Sequence, residues 1–298
     1  MFRRSFSLFT VPLLLALTSS SARAQITHLE CFMDGSQEVP PVVTGATGRA
    51  DYTVNTASHT LKYNVSFQML SSGQTGAHIH DTTTTNIIFP LPGGSPISGS
   101  FLTNATTEGQ LLAVNGTYTN IHSMAHPGGE IRGTNVVAPP LGTPSCFGDG
   151  SSGPCPCGNN GAMGRGCEHS GLNGGARLDA SGHVSPDNVV LISTAERPTA
   201  FSIFLQGNAL IAPVPFGDGL RCLTGLKRLS TKSATGGAVA YPEGAELQIT
   251  VRAAALGQPN NPGDTRFYQT YFRDPDPLHC PAPMGSTFNI TNMVTIVW

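Results

Sequence analysis

Charged side chains are scarce in this chain. Lys, Arg, Asp and Glu make up 11% of the 298 residues, with 16 basic against 18 acidic side chains and a net charge of −2. Binding to nucleic acid through its phosphates needs a basic surface, so this composition argues against such a partner. The scarcity of charged residues also disfavours long charged helices. The 35 Gly and 23 Pro instead favour short strands joined by tight turns.

Long apolar runs are missing beyond the first residues. The run FTVPLLLAL at residues 9–17 follows Arg3 and Arg4 and is too short for a membrane span of roughly 20 residues. Small residues then precede Gln25, which predicts a secretory signal peptide over residues 1–24. No later run approaches membrane length, so we expect no transmembrane segment after cleavage. The mature chain is expected to be secreted, periplasmic or held at the cell surface.

Cysteine is nearly absent from the first 140 residues. Of the seven cysteines only Cys31 lies there, and the others are Cys146, Cys155, Cys157, Cys167, Cys222 and Cys280. Export into an oxidising compartment predicts disulfides among these six and leaves Cys31 as the odd thiol. Spacing alone does not select a pairing. We expect Cys222 to pair with Cys280 across strands, and the other four to staple the Gly-rich segment.

Alternation of apolar and polar residues dominates the rest of the sequence. In LKYNVSF, residues 61–67, every second side chain is apolar, which predicts a strand with one solvated face. A polar segment precedes it, so residues 49–67 are predicted to form a β-hairpin. A short helix is predicted over residues 106–114. The final run, NITNMVTIVW, is predicted to place Trp298 inside a sheet.

A change of composition at residues 134–161, where Pro and Gly replace the alternation, predicts a domain boundary. We therefore predict an all-β fold of two β-sandwich domains. The first is expected over residues 25–136 and the second over residues 172–298. A Gly/Pro/Cys-rich linker and entry loop is expected between them, over residues 137–171.

Four of the nine histidines fall in two short clusters, His78 with His80 and His122 with His126. Residues i and i+2 of a strand share a face, so His78 and His80 are expected side by side, and His122 and His126 have the same parity. Four neutral imidazoles suit Cu or Zn better than Mg or Ca. The alternative is a packing unit in which the imidazoles donate to backbone carbonyls. The residues alone leave both hypotheses open.

The acidic and nucleophilic residues show no catalytic pattern. Glu130 and Arg132 in GGEIRG share strand parity, and we expect an ion pair that holds the last strand of the first domain. Nothing resembles a G-x-S-x-G motif or a Cys–His nucleophile, which argues against a hydrolase.

Three motifs stand in a recognisable order: GSQEVPP at residues 35–41, AHIH at residues 77–80 and NIHSMAHPGGEIRG at residues 120–133. Together they closely resemble the CHRD domain, a module first described in chordin, over about residues 27–135. The resemblance implies an immunoglobulin-like β-sandwich without established catalytic activity, usually part of secreted or surface proteins. It also implies that the histidines belong to the pattern of the family.

The order of the histidines is also similar to that of copper/zinc superoxide dismutase, although likeness of this kind is analogy. The domain offers His78, His80, His122 and His126 but no separate ligand sets for two metals. A mononuclear site is therefore the form that a metal centre would take, with Asp81 or Glu130 expected behind the ligands.

The Cys-rich second half, from residue 145 to residue 298, resembles a recurrent module of secreted proteins from planctomycetes and similar bacteria. That family is uncharacterised, so the resemblance implies export and a β-rich module rather than a reaction.

These observations predict an exported, non-enzymatic protein with a binding or structural role at the cell surface or outside the cell. Its partner would be a protein or surface ligand, and the sequence assures no cofactor. The alternative is a metalloprotein that holds one Cu or Zn ion at the histidines, with metal-dependent redox activity.

Overall fold

The computed structural model describes residues 25–276, 278–280 and 287–298. The signal peptide predicted over residues 1–24 lies outside the described residues. Within these ranges, no helix has both the length and the apolar character needed to cross a membrane.

The N-terminal half is built almost entirely of strands. They are β1 (Ile26–Asp34), β2 (Thr47–Asn55), β3 (Thr60–Gln68), β4 (Gln74–Asp81), β5 (Ile87–Pro90), β6 (Ile97–Leu102), β7 (Thr117–Ser123), β8 (Ile131–Thr134) and β9 (Val136–Val137). In the described part of the chain these nine strands form one sheet in the order β5-β4-β7-β8-β1-β2-β3-β6, with β9 beside β1. A 3-10 turn, Gly35–Gln37, follows β1, and the helix α1, Ala105–Leu112, follows β6.

This sheet folds back on itself and encloses one core. The rings of Phe89 on β5 and Phe101 on β6, the two ends of the strand order, stack with centroids 4.8 Å apart. Across the core, the hydroxyl groups of Tyr52 on β2 and Thr119 on β7 lie 2.6 Å apart and share a hydrogen bond. Both side chains are buried. The buried hydroxyls pair with each other because an unpaired one would cost stability.

The predicted hairpin is confirmed as β2 and β3, which pair in register from Thr47↔Gln68 to Asn55↔Thr60. Its turn is held by the side chain of Asn55, which accepts from the backbone N–H groups of Ala57 and Ser58. The predicted helix is confirmed as α1, which begins at Ala105 and has Asn104 as its N-cap. The side-chain oxygen of Asn104 binds the free N–H groups of the first turn.

The C-terminal half contains the strands β10 (Thr143–Ser145), β11 (Arg177–Ser181), β12 (Val190–Thr194), β13 (Phe201–Gly207), β14 (Ala209–Phe216), β15 (Gly219–Thr224), β16 (Lys227–Ser233), β17 (Val239–Tyr241), β18 (Thr265–Arg273), β19 (Phe288–Ile290) and β20 (Met293–Val297). A second helix, α2, spans Ile249–Ala255. Among the residues described, one sheet has the order β10-β20-β18-β13-β16 with β19 beside β18. A second sheet has the order β11-β12-β17, and β14 pairs with β15.

The two larger sheets of this half pack face to face. Leu191 on β12 and Phe204 on β13 belong to the same buried cluster, which also contains Ile296 on β20. Trp298 follows β20, is 8% exposed, and donates from its indole N–H to the hydroxyl of Tyr268 at 2.9 Å. The all-β, two-sandwich prediction is therefore confirmed. Trp298, which was predicted inside a sheet, is buried but lies directly after β20. The domain bounds given above stay a prediction.

The disulfide pairing expected from the sequence is wrong. The bonds are Cys146–Cys222, Cys155–Cys167 and Cys157–Cys280. The segment assigned to the linker contributes β10, which pairs with β20. Cys146 follows β10 directly and packs in a buried cluster with Cys222 of β15, a strand of another sheet. The packing of distant strands, which spacing does not report, therefore decides the partners. Cys31 is free, as expected, and it is also buried.

Buried contacts connect the two halves. Ile26 on β1 joins Val190 and Ile192 on the outward side of β12 in a small apolar cluster. Around it lie polar contacts: Nδ1 of His28 is 3.1 Å from the hydroxyl of Ser181, and His28 is 2% exposed. Contacts of this kind oppose separation of the halves, because separation would expose the apolar cluster to water and break the hydrogen bond.

Candidate functional site: a histidine cluster on the outer sheet face

Three histidines lie on one face of the paired strands β4 and β7. The register places Gly76 opposite His122 and His80 opposite Tyr118. The intervening side chains of Ala77, Ile79 and Ile121 point inward and are at most 1% exposed. Because side chains alternate along a strand, the histidines occupy the outward face. The core therefore determines which way the histidines point.

The cluster is compact. One ring nitrogen from each of His78, His80 and His122 lies within 4.8 Å of the others. Nδ1 of His78 lies 3.1 Å from Nε2 of His122. The expected neighbours His78 and His80 are confirmed as adjacent, with ring centroids 5.4 Å apart. Three imidazole nitrogens at this spacing could coordinate one metal ion, and imidazole ligands suit Cu or Zn.

Backbone carbonyls decide the tautomers of two rings. Nδ1 of His80 lies 2.9 Å from the carbonyl oxygen of Thr85, and Nδ1 of His122 lies 2.9 Å from that of Pro127. A carbonyl oxygen only accepts, so both Nδ1 atoms carry the hydrogen. In the neutral rings both Nε2 atoms then hold lone pairs. Nε2 of His80 is buried and has no hydrogen-bond partner in the described residues.

Burial favours the neutral form of two of the rings. It lowers the pKa of His78 below its usual 6.5, and repulsion from His122 and His80 lowers it further. Burial also lowers the pKa of His80, against the effect of the Thr85 carbonyl, and His122 and Arg132 add to the decrease. Neutral imidazole is the form that coordinates a metal.

Sequence reasoning missed the aromatic and basic side chains that support the cluster. The ring of Tyr118 stacks on His80 with centroids 4.8 Å apart and an interplanar angle of 6°. The guanidinium carbon of Arg132 lies 3.5 Å from the centroid of the Tyr118 ring. Tyr118, Asn120 and His122 alternate along β7, so strand parity was the signal that could have placed them beside the histidines.

His126 lies outside the three-histidine group. β7 ends at Ser123, and the backbone N–H of His126 donates to the carbonyl of Ser123 in the following turn. The turn removes His126 from the strand, so parity with His122 no longer places it on the same face. The four-residue ligand set expected from the sequence is therefore reduced to three grouped residues.

The two carboxylates expected behind the ligands have other partners. Asp81 accepts from the N–H groups of Thr83 and Thr84 and so shapes the β4–β5 loop that carries the Thr85 carbonyl. Glu130 accepts from Thr44 and Ser71.

Burial acts to raise the pKa of Glu130, but donors from Ser123, Thr44 and Ser71 outweigh it and lower the pKa to about 2. The ion pair expected between Glu130 and Arg132 is not among the ion pairs of the described residues. Arg132 stacks on Tyr118 instead, because the hydroxyl and amide donors already satisfy the carboxylate.

Comparison with known proteins bears on the N-terminal half. No curated protein and no solved structure matches the chain. The resemblance of the second half to a module of planctomycete proteins stays a prediction. Residues 29–134 match the family model of the CHRD domain, which contains both histidine strands. The chain therefore carries a CHRD domain over residues 29–134.

Proposed function

We propose that this chain is an exported, non-enzymatic protein that works outside the cytoplasm through a binding or structural role. The observation that carries the proposal is the set of three disulfides, which uses six of the seven cysteines. Such bonds persist in oxidising compartments and are rare in the cytosol. The CHRD domain fits the same location.

The covalent pattern supports a stable scaffold. Cys157–Cys280 and Cys146–Cys222 close loops of 123 and 76 residues, so they restrain the unfolded chain strongly. Contacts between the halves add to this, among them the ion pair of 2.8 Å between Lys62 and the buried carboxylate of Glu243. A chain held by disulfides and by contacts between its halves is pre-organised, which suits a protein that presents a surface to a partner. That partner would be a protein or a surface ligand outside the cell.

Export and disulfide state can be tested together. The full chain of 298 residues is expressed in a bacterial host, and the cell fractions are treated with an alkylating reagent under denaturing, non-reducing conditions. We expect exported protein that begins at Gln25 and carries one alkyl group, on Cys31. Protein that stays in the cytoplasm with all seven cysteines alkylated would contradict the proposal.

The binding role needs a second measurement. Labelled protein of residues 25–298 is sedimented with cell envelopes of the producing organism, with reduced and alkylated protein as the control. Saturable retention of the oxidised form alone supports the proposal, and equal retention of both forms contradicts it. Superoxide turnover by copper-loaded protein that disappears on His122→Gln would contradict the non-enzymatic part.

A further inference from the structure

We propose that His78, His80 and His122 form a mononuclear site for a divalent late transition metal, which binds Cu(II) more tightly than Zn(II). The site goes beyond the general binding role argued above and does not depend on it. His126 is not a ligand in this proposal. The metal order follows from the general affinity of nitrogen sites, which peaks at Cu(II) among the divalent first-row metals.

The first support is the direction of the lone pairs. The Thr85 and Pro127 carbonyls hold the hydrogens of His80 and His122 on Nδ1, which leaves both Nε2 atoms as acceptors. In ligating histidines the N–H of the second ring nitrogen commonly donates a hydrogen bond to such a carbonyl, which fixes ring orientation. Two of the three rings are thus already oriented as ligands.

The second support is the unpaired nitrogen of His80. This residue is 9% exposed, and its Nε2 has no hydrogen-bond partner among the described residues. In a packing unit each buried ring nitrogen would be expected to have a partner, because a desolvated polar atom without one destabilises the fold. The packing hypothesis therefore leaves this atom unexplained, whereas a metal ion would use it.

The third support is the distance between His78 and His122. Zn–N bonds are about 2.0–2.1 Å long, so two nitrogens bound to the same ion lie about 3 Å apart. Nδ1 of His78 and Nε2 of His122 are 3.1 Å apart. In the metal-free state the hydrogen of His78 bridges this gap, because Nε2 of His122 can only accept.

An ion would replace this hydrogen as the bridge. His78 would then carry its single proton on Nε2 and coordinate through Nδ1, so both rings stay neutral and no net proton is released. The largest separation within the group, 4.8 Å, exceeds the spacing in a bound set, so the cluster must contract when the ion binds. Three protein nitrogens leave a further position for water or a small anion, as in catalytic zinc sites. His78 and His122 are partly exposed, which gives solvent access to that position.

Gly76 supplies a variant that disturbs the site without removing a ligand. A Cβ atom added there would lie 3.0 Å from Cε1 of His78 and 3.5 Å from Cδ2 of His122. The His78 ring would have to shift by a few tenths of an ångström. Gly76→Ala is therefore a test of ring placement that keeps all three imidazoles.

The experiment uses untagged, oxidised protein of residues 25–298, titrated with Cu(II) or Zn(II) salts in a non-coordinating buffer and analysed by mass spectrometry for metal content. We expect one ion per chain, with tighter binding of Cu(II) and nitrogen couplings in its electron paramagnetic resonance spectrum. His122→Gln is expected to weaken binding by about 100-fold or more, since even partners behind the ligands contribute about 10- to 100-fold. His126→Gln is the matched control and should bind as the parent protein does.

The outcomes separate clearly. If the parent protein retains no stoichiometric metal, or if His126→Gln loses binding while His122→Gln keeps it, the assignment is overturned. Circular dichroism confirms that each variant is folded. If His122→Gln does not fold, Gly76→Ala decides: weaker Cu(II) binding at unchanged thermal stability supports the site, and unchanged binding rejects the role of His78. Failure here leaves the export and disulfide results untouched.

Discussion

The carboxylate of Glu30, on the first strand of the CHRD domain, accepts a hydrogen bond of 2.7 Å from the side-chain amide of Asn188 in the C-terminal half. The other carboxylate oxygen of Glu30 lies 3.1 Å from Nε2 of His183. The same amide of Asn188 also donates to Asp51 at 3.0 Å. Asn188 is 1% exposed, so one amide group joins two acidic residues of the first half to the second half.

Replacement of Asn188 by Ala is expected to weaken the contact between the halves. It leaves the buried carboxylate of Glu30 without its amide donor, which costs about 2–3 kcal/mol of unfolding free energy. Urea unfolding monitored by fluorescence measures the loss. The exposed Gln68→Ala is the control, with an expected change of about 0.5 kcal/mol or less. Equal stability of the two variants would show that the amide contributes little to docking.

The ion-pair network of Glu243 is expected to give stability that acid removes. Burial acts to raise the pKa of Glu243, but Lys232 and Lys62 outweigh it and hold the pKa below its usual 4.5. Because the folded pKa is depressed, the stabilisation is present above pH 4.5 and is lost as the pH falls through the folded value. Glu243→Gln should therefore cost about 3 kcal/mol at pH 7, and the difference from the parent protein should shrink in acid.

The matched control for the Glu243→Gln variant is Asp179→Asn. Asp179 pairs with Arg177 at 2.8 Å, but both side chains are more than 40% exposed, at 42% and 45%. An exposed pair contributes about 0–1 kcal/mol. Urea unfolding at pH 7 and at pH 3 measures both variants. A Glu243→Gln deficit that is as large at pH 3 as at pH 7 would contradict the assignment.

Glu196 is expected to change stability with pH in the direction opposite to that of Glu243. Burial raises its pKa to about 7, although hydroxyl donors from Ser193 and Ser202 act to lower it. A raised folded pKa means that the folded chain binds the proton more tightly, so stability falls as the pH rises from about 4.5 to about 7. The slope approaches about 1.4 kcal/mol per pH unit. Glu196→Gln should remove this slope. Unfolding curves of both proteins at pH 5, 6 and 7 measure it. If the slope persists in Glu196→Gln, the pH dependence arises from other groups.

The three disulfides are expected to differ in their contribution to stability according to loop length. In the chain-entropy model the 123-residue loop of Cys157–Cys280 corresponds to about 5 kcal/mol, and the 12-residue loop of Cys155–Cys167 to about 3 kcal/mol. Paired Cys→Ser replacements, compared by thermal and urea unfolding of the oxidised protein, measure the difference. If removal of the two disulfides costs equal stability, native contacts rather than loop closure determine their contribution to stability.

The histidine site shows which neighbours strand parity can predict and which it cannot. The spacing of His78 and His80 was sufficient to place them side by side, because the two-residue repeat of a strand is a local property of the backbone. The same argument failed for His126, because β7 ends at Ser123 and a turn intervenes. His122 lies beside His78 only because β4 pairs with β7, and the two histidines are 44 residues apart in sequence.

Local alternation and residue counts were enough to predict the all-β class, the hairpin of residues 49–67 and Cys31 as the unpaired cysteine. The disulfide partners, the tautomers of His80 and His122 and the contact of Glu30 with Asn188 could not be predicted in this way. These features join residues that are distant in sequence or depend on where a backbone carbonyl points. Side-chain periodicity is encoded residue by residue, whereas the pairing of distant strands depends on the packing of the whole core.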